Sequence, residues 1–214
     1  MSLGASSMRK LTLRVLVASI ASCAAVLSFV GTSTAQPMAS VAPSHVTSSQ
    51  RGMEVIGFNR AVAEAHGYEI VTLPDGRQAS VPKAEAEHAR AAGTMAGLQP
   101  DAQDTKFGTC GYSYVELDDG GGGGVAYLRT GFHVNFDAIS YAWWVQITDN
   151  NGRSHQNWGS ALTFQTDWTS GILKLGLYAG GDAKAEVIPD NSWALLVTGS
   201  ICVSGGPEVT QFIS

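Results

Sequence analysis

Residues 138–148 read Ala-Ile-Ser-Tyr-Ala-Trp-Trp-Val-Gln-Ile-Thr. Ile139, Tyr141, Trp143, Val145 and Ile147 are apolar. Ala138, Ser140, Ala142, Gln146 and Thr148 between them are small or polar, and only Trp144 breaks the pattern. Successive side chains of a strand point to opposite sides, so apolar residues at every second position mark a strand with one buried face. β-branched and aromatic residues suit that half-buried, pleated surface. The stretch is expected to be the central strand of an all-β domain.

Asp149-Asn150-Asn151-Gly152 ends it, and Asn-Gly predicts a two-residue hairpin loop. With Asn151-Gly152 as that loop, Thr148 faces His155, Gln146 faces Asn157 and Trp144 faces Gly159, while Val145 meets Trp158 on the core side. Further strands are expected at Leu162–Phe164, Leu173–Tyr178, Ala183–Ile188, Ser192–Val203 and Val209–Ile213. Upstream, Tyr112–Asp118 pairs with Val125–Val134 through the run Gly120–Gly124, a flexible link that sets register loosely. Ala126, Leu128, Thr130, Phe132 and Val134 form the apolar face of the returning strand. Strands this short and numerous, separated by turn signals, predict an antiparallel β-sandwich over residues 107–214, with a barrel as the alternative. The immunoglobulin spacing of cysteine, tryptophan and cysteine is not met.

Ahead of this domain the composition changes. Arg9, Lys10 and Arg14 precede an apolar run of 16 residues, Val15–Val30, and Ser33-Thr34-Ala35 supplies small residues for cleavage. A spanning helix needs about 20 apolar residues, so residues 1–35 read as a signal peptide and the protein as secreted. Ile20-Ala21-Ser22-Cys23 offers a lipobox, and with it an alternative lipid anchor on Cys23. Residues 36–52 read as a disordered leader. Residues 53–93 read as a small α/β appendage: a helix carrying Phe58, Val62 and Ala65, a hairpin around Pro74-Asp75-Gly76, and a second helix from Pro82 to Gly93. It is too thin to hold much core and is a candidate pro-segment. Residues 94–106 read as a linker.

Loss of the signal peptide removes Cys23 and leaves Cys110 and Cys202, which in an exported chain are expected to form a disulfide. The formal net charge of −5 becomes more negative when the basic n-region is cut away. That balance argues against nucleic acid as a partner, and against a membrane unless Cys23 carries a lipid.

Catalytic signatures are sparse. The five histidines (His45, His66, His88, His133 and His155) have no metal-ligand spacing, and no cofactor fingerprint is present. Glu116, Asp118 or Asp119 offers a single acid for glycoside hydrolysis, which needs a second carboxyl at a defined distance. Asp149–Gly152 is a turn rather than a calcium loop, since Ser160 stands where a bidentate Glu belongs. One site stands out on the solvent face of the central hairpin. There Trp144 is ringed by Gln146, His155 and Asn157, an aromatic floor with polar groups around it that suits a sugar. The expected function is a non-enzymatic binding module for a glycan or cell-surface ligand, without cofactor or metal. A protein-interaction or inhibitor module using a sheet edge or the glycine loop is the alternative, and a hydrolase built on Glu116 ranks third.

The segments Ala65-His66-Gly67-Tyr68-Glu69-Ile70-Val71-Thr72-Leu73-Pro74-Asp75-Gly76 and Gly108-Thr109-Cys110-Gly111-Tyr112-Ser113-Tyr114, behind a signal peptide, resemble those of small secreted actinobacterial proteins of unassigned activity. The resemblance implies an exported protein and carries over no catalytic residue.

Overall fold

The computed structural model describes residues 47–92 and 108–214. The expected signal peptide with Cys23, the leader up to residue 46 and the linker 94–106 lie outside the described residues. In chain order the elements are β1 (Thr47–Phe58), α1 (Arg60–Ala65), β2 (Tyr68–Thr72), β3 (Gln78–Pro82), α2 (Ala86–Ala92), β4 (Gly111–Asp119) and β5 (Val125–Asp149). They continue with β6 (Gly152–Thr169), β7 (Leu173–Gly176), β8 (Gly181–Val187), β9 (Trp193–Leu196), β10 (Ser200–Ser204) and β11 (Glu208–Ile213).

Everything is organised on β5. The two strands expected at 125–134 and 138–148 are one strand of 25 residues that turns a corner. Its first half buries Ala126, Leu128, Thr130, Phe132 and Val134, and its second half buries Tyr141, Trp143, Val145 and Ile147. The buried set thus passes from even to odd positions. Register shifts between His133 and Ala138, and between Ala138 and Ser140, absorb the change. Such irregularities bend a strand and let it leave one wall for another.

The corner closes a ring. The first half of β5 pairs with β4, β4 with β1, β1 with β10 and β10 with β9; β9 then returns to the second half of β5, Ala142 facing Trp193. The expected sandwich of two separate sheets gives way to its alternative, an antiparallel barrel of five strands in which the bent strand serves twice. β8 and β11 extend the wall beyond β5, while β6 and β7 line its other edge.

Three further expectations are corrected. Residues 47–58, divided in the sequence between leader and appendage, form β1, which is paired on both edges. Only Met53 of that strand is fully buried, so its sequence lacks apolar alternation. Ser192–Val203 is two strands, because Gly199 takes φ 81° and donates its N–H to the Leu196 carbonyl to make a turn. The five-glycine link is pinned: Gly124 N–H donates to the Ser214 carbonyl and the Gly124 carbonyl accepts from Leu177 N–H.

The barrel interior is filled. Trp143 is fully buried and its indole N–H donates to Thr130 Oγ1 at 2.9 Å, which in turn donates to the Tyr114 carbonyl at 2.7 Å. At the corner Trp168 of β6 packs on Phe132, Tyr141, Trp143 and Trp158 with ring centroids 4.5–5.9 Å apart. Cys110 and Cys202 form the disulfide, S–S 2.09 Å, with Cα atoms 5.9 Å apart. It ties the lead into β4 to β10 across β1.

Outside the ring, Asn59 caps α1 by accepting from Val62 N–H at 3.1 Å. β2 and β3 pair around Pro74-Asp75-Gly76. Pro82 ends β3, and a 3-10 turn at Lys83–Glu85 delays α2 to Ala86. Val71, Leu73, Ala79, Val81, Ala86 and Ala89 make a small separate core. Ser80 Oγ joins this unit to the barrel by donating to the Thr198 carbonyl at 2.5 Å.

Candidate functional site

The second half of β5, with β6 on one edge and β8 and β9 on the other, presents an outer face. Trp144, Gln146, His155 and Asn157 all lie on it, as two directly opposed pairs: Trp144 faces Asn157, and Gln146 faces His155. The expected register is off by two residues. The loop is Asn150-Asn151, and Gly152, at φ 127°, opens β6 instead of closing the turn. The Asp149 carboxylate causes this by accepting from Asn151 N–H at 2.9 Å and from Tyr178 N–H at 2.7 Å. An Asx turn has outcompeted the Asn-Gly hairpin loop. A slip of two preserves each residue's face, so the quartet survives while its neighbours change. Gly159 faces Ala142 rather than Trp144, and Trp143 rather than Val145 takes Trp158.

Trp144 is half-buried, and His155 and Asn157 are exposed. The imidazole of His155 stacks beside the indole with centroids 6.0 Å apart and 29° between planes. The backbone under Trp144 is held on the side away from β6. Its N–H donates to Ser192 Oγ at 3.0 Å, and its carbonyl accepts from Ile188 N–H at 3.0 Å. Trp193, opposite Ala142, adds a second half-buried indole on the same face. Ala142 and Gly159 then make a floor of small residues beside the two indoles. Sequence reasoning missed Trp193 because its partner strand is remote in the chain; its place two residues after the turn Pro189–Asn191 was the available signal. Farther along this face Lys184 bridges Glu208 (2.5 Å) and Glu186 (3.0 Å), and hydrogen bonds to those two carboxylates hold its pKa above the ordinary lysine value.

The acidic candidates are placed elsewhere, and Glu116 and Asp119 are engaged. Glu116 accepts from Arg129 at 2.7 Å across β4 and β5. Asp119 accepts from the Ser214 hydroxyl at 2.7 Å and the Ser214 N–H at 3.1 Å, and these bonds lower its pKa. Asp118 faces Tyr127. His133 Nδ1 lies 2.9 Å from Asp167, and His66 meets Phe164 edge-on. Among the described residues, no cluster of three His, Cys, Asp or Glu is arranged to hold a metal ion. No helix among them is long and apolar enough to cross a membrane, and the disulfide fits an oxidising compartment. No family model, no curated relative and no solved structure matches this chain.

Proposed function

We propose that the protein is a secreted binding module that grips a glycan, or a glycan-bearing cell-surface ligand, on the outer face around Trp144. The observation that carries this reading is the gathering of Trp144, Gln146, His155 and Asn157 into two opposed pairs on one face, with Trp193 close by. The C–H face of a sugar ring stacks on an indole, while amide and imidazole groups give its hydroxyls directional partners. The small floor of Ala142 and Gly159 leaves room for a ring at the indole edge. Export is supported by the n-region and apolar run of residues 1–35 and by the disulfide. The test is retention of purified protein on insoluble glycans (peptidoglycan, chitin and cellulose), with Trp144→Ala and Asn157→Ala beside wild type. At least one matrix should retain wild type and lose most of that retention with Trp144→Ala. Equal retention of the two proteins defeats the reading.

A second reading, a protein-interaction module, is favoured by β6. It pairs only with β5, so its other edge is open among the described residues. An extended segment of a partner can add to such an edge through main-chain hydrogen bonds. That reading predicts that a protein co-purifying from culture supernatant slows amide exchange along β6, and a complex leaving β6 unprotected rejects it.

A further inference from the structure

The ring of strands has two ends, and one of them is a roofed cavity. β1 reaches this end at its last residues, β4 and β10 at their first, and β9 at its last, while β5 turns its corner there. All five staves therefore share the rim formed by residues 54–58, 109–110, 135–136 and 196–200. These same stretches, together with residues of β2, β3 and the turn between them, line a cleft of about 440 Å³. The volume falls in the range of about 300–1,000 Å³ typical of small-molecule sites, and the mouth of a β-barrel is a recurrent place for them.

The lining divides by chemistry. Val55, Ile56, Phe58, Leu73, Phe136 and Leu196 contribute apolar walls. A β-bulge lies at Ile56, since Val55 faces Cys202 and Gly57 faces Ile201 with one extra residue between. Bulges re-aim side chains, often beside functional sites, and this one leaves Ile56 69% and Val55 36% exposed at the cavity. Isolated exposed apolar residues are ordinary, whereas two adjacent ones at a bulge lining the same cavity form a surface. The polar side holds Glu54, whose Oε2 accepts from Thr109 Oγ1 at 2.9 Å; that hydroxyl also accepts from Val55 N–H at 3.1 Å. Arg77 also lines the cleft, but it pairs with Asp75 at 2.7 Å, and among the described residues the Glu54 carboxylate is bonded by the Thr109 hydroxyl rather than by a base. The cleft therefore sets a carboxylate, without a basic partner among the described residues, beside an apolar wall.

We propose that the roofed barrel mouth binds a small lipophilic molecule with a cationic head, its apolar body on Val55, Ile56 and Phe136 and its head against the Glu54 carboxylate. The hairpin roof meets the barrel through Ser80 and Thr198 and has its own small core, while Asn59 N–H, ahead of α1, donates to the Gly199 carbonyl on the rim. The site is independent of the Trp144 face.

The probe is N-phenyl-1-naphthylamine, which brightens in apolar surroundings, displaced by dodecylamine or by dodecanoate. The folded wild type should brighten the dye, and dodecylamine should displace it at about tenfold lower concentration than dodecanoate, the effect expected of one charge-assisted contact. Ile56→Ser, an exposed change that keeps the fold, should weaken dye binding about tenfold. Glu54→Gln should leave the dye bound and erase the preference for the amine. Trp144→Ala should change none of these, so failure of the glycan reading and failure of this one are separable. No brightening by folded wild type overturns the proposal. So does an Ile56→Ser variant that binds as wild type, or an amine preference that survives Glu54→Gln.

Discussion

Replacing Thr130 with valine tests how the barrel interior is held. Thr130 and Trp143 are both fully buried, and Thr130 Oγ1 is the acceptor for the indole N–H at 2.9 Å. Valine matches threonine in shape, so no cavity opens; the change removes the acceptor for Trp143 and the donor to the Tyr114 carbonyl. A buried donor left unsatisfied costs about 1–3 kcal/mol, whereas a paired hydrogen bond contributes only about 1 kcal/mol net. We therefore expect Thr130→Val to lose about 2 kcal/mol, or about 4–8 °C in Tm for a domain of this size. Guanidinium unfolding followed by tryptophan fluorescence, with the disulfide intact, measures it. The decisive arm is a double-mutant cycle with Trp143→Phe, which removes the N–H. On that background Thr130→Val should cost about 1–2 kcal/mol less. An equal cost on both backgrounds, or a single-mutant loss under about 0.5 kcal/mol, refutes the account.

The remaining tests address the links around this core. Gly124 sits at φ 73°, and a Cβ there would lie 2.2 Å from the Leu177 carbonyl oxygen. Gly124→Ala should therefore lower Tm well beyond Gly121→Ala, whose Cβ would meet nothing within 4 Å; equal melting of the two would reject the close approach as the cause. Replacing both Cys110 and Cys202 with alanine opens a link spanning 92 residues. In the chain-entropy model this costs about 4–5 kcal/mol, read as a fall in the denaturant midpoint that the reduced wild type should reproduce. Asp119 has a depressed pKa in the folded protein because Ser214 hydrogen-bonds its charged form. Its contribution is complete above the ordinary carboxylate value and disappears as pH falls through the depressed one. The protection of the Ser214 amide against exchange, relative to its intrinsic rate at each pH, should fall as pH drops through that depressed value, and Asp119→Asn should abolish that dependence.

What could be read from the sequence was whatever one buried face imposes. Residues 126–134 and 141–147 alternate because each faces the same filled interior, and both were placed correctly on their faces. The corner between them was invisible, since two strands and one bent strand share a pattern when the phase change falls in a short irregular stretch. β1 escaped notice for a different reason. It lies between two hydrogen-bonded neighbours, so its backbone is satisfied without apolar alternation. The hairpin register failed by two because the Asp149 carboxylate competes for the same backbone as Asn-Gly. The quartet around Trp144 survived that error only because a slip of two keeps every side chain on its face. The mouth of the barrel had no local signal at all: residues 54–58, 109–110, 135–136 and 196–200 become neighbours only through closure of the ring.

That closure also decides where a ligand can go. An eight-stranded barrel has an interior just wide enough for side chains or one small ligand, and diameter falls with strand number. With five staves, Met53, Leu117, Leu128, Trp143 and Cys202 already occupy the space, each fully buried. Among the described residues, a binding site on this barrel therefore sits on the outside of the wall or at an end. The outer wall supplies the indole of Trp144 where β5 passes between β6 and the gap separating β8 from β9. The opposite end from the mouth is tied by Thr47 donating to Gln211 at 2.5 Å and by Asp119 holding Ser214. Among the described residues, the mouth is bridged by a single side-chain bond from Ser80. Removing that bond with Ser80→Ala should raise the dye's association rate while leaving Trp144-dependent glycan retention unchanged, because the roof and the outer face touch different parts of the same bent strand.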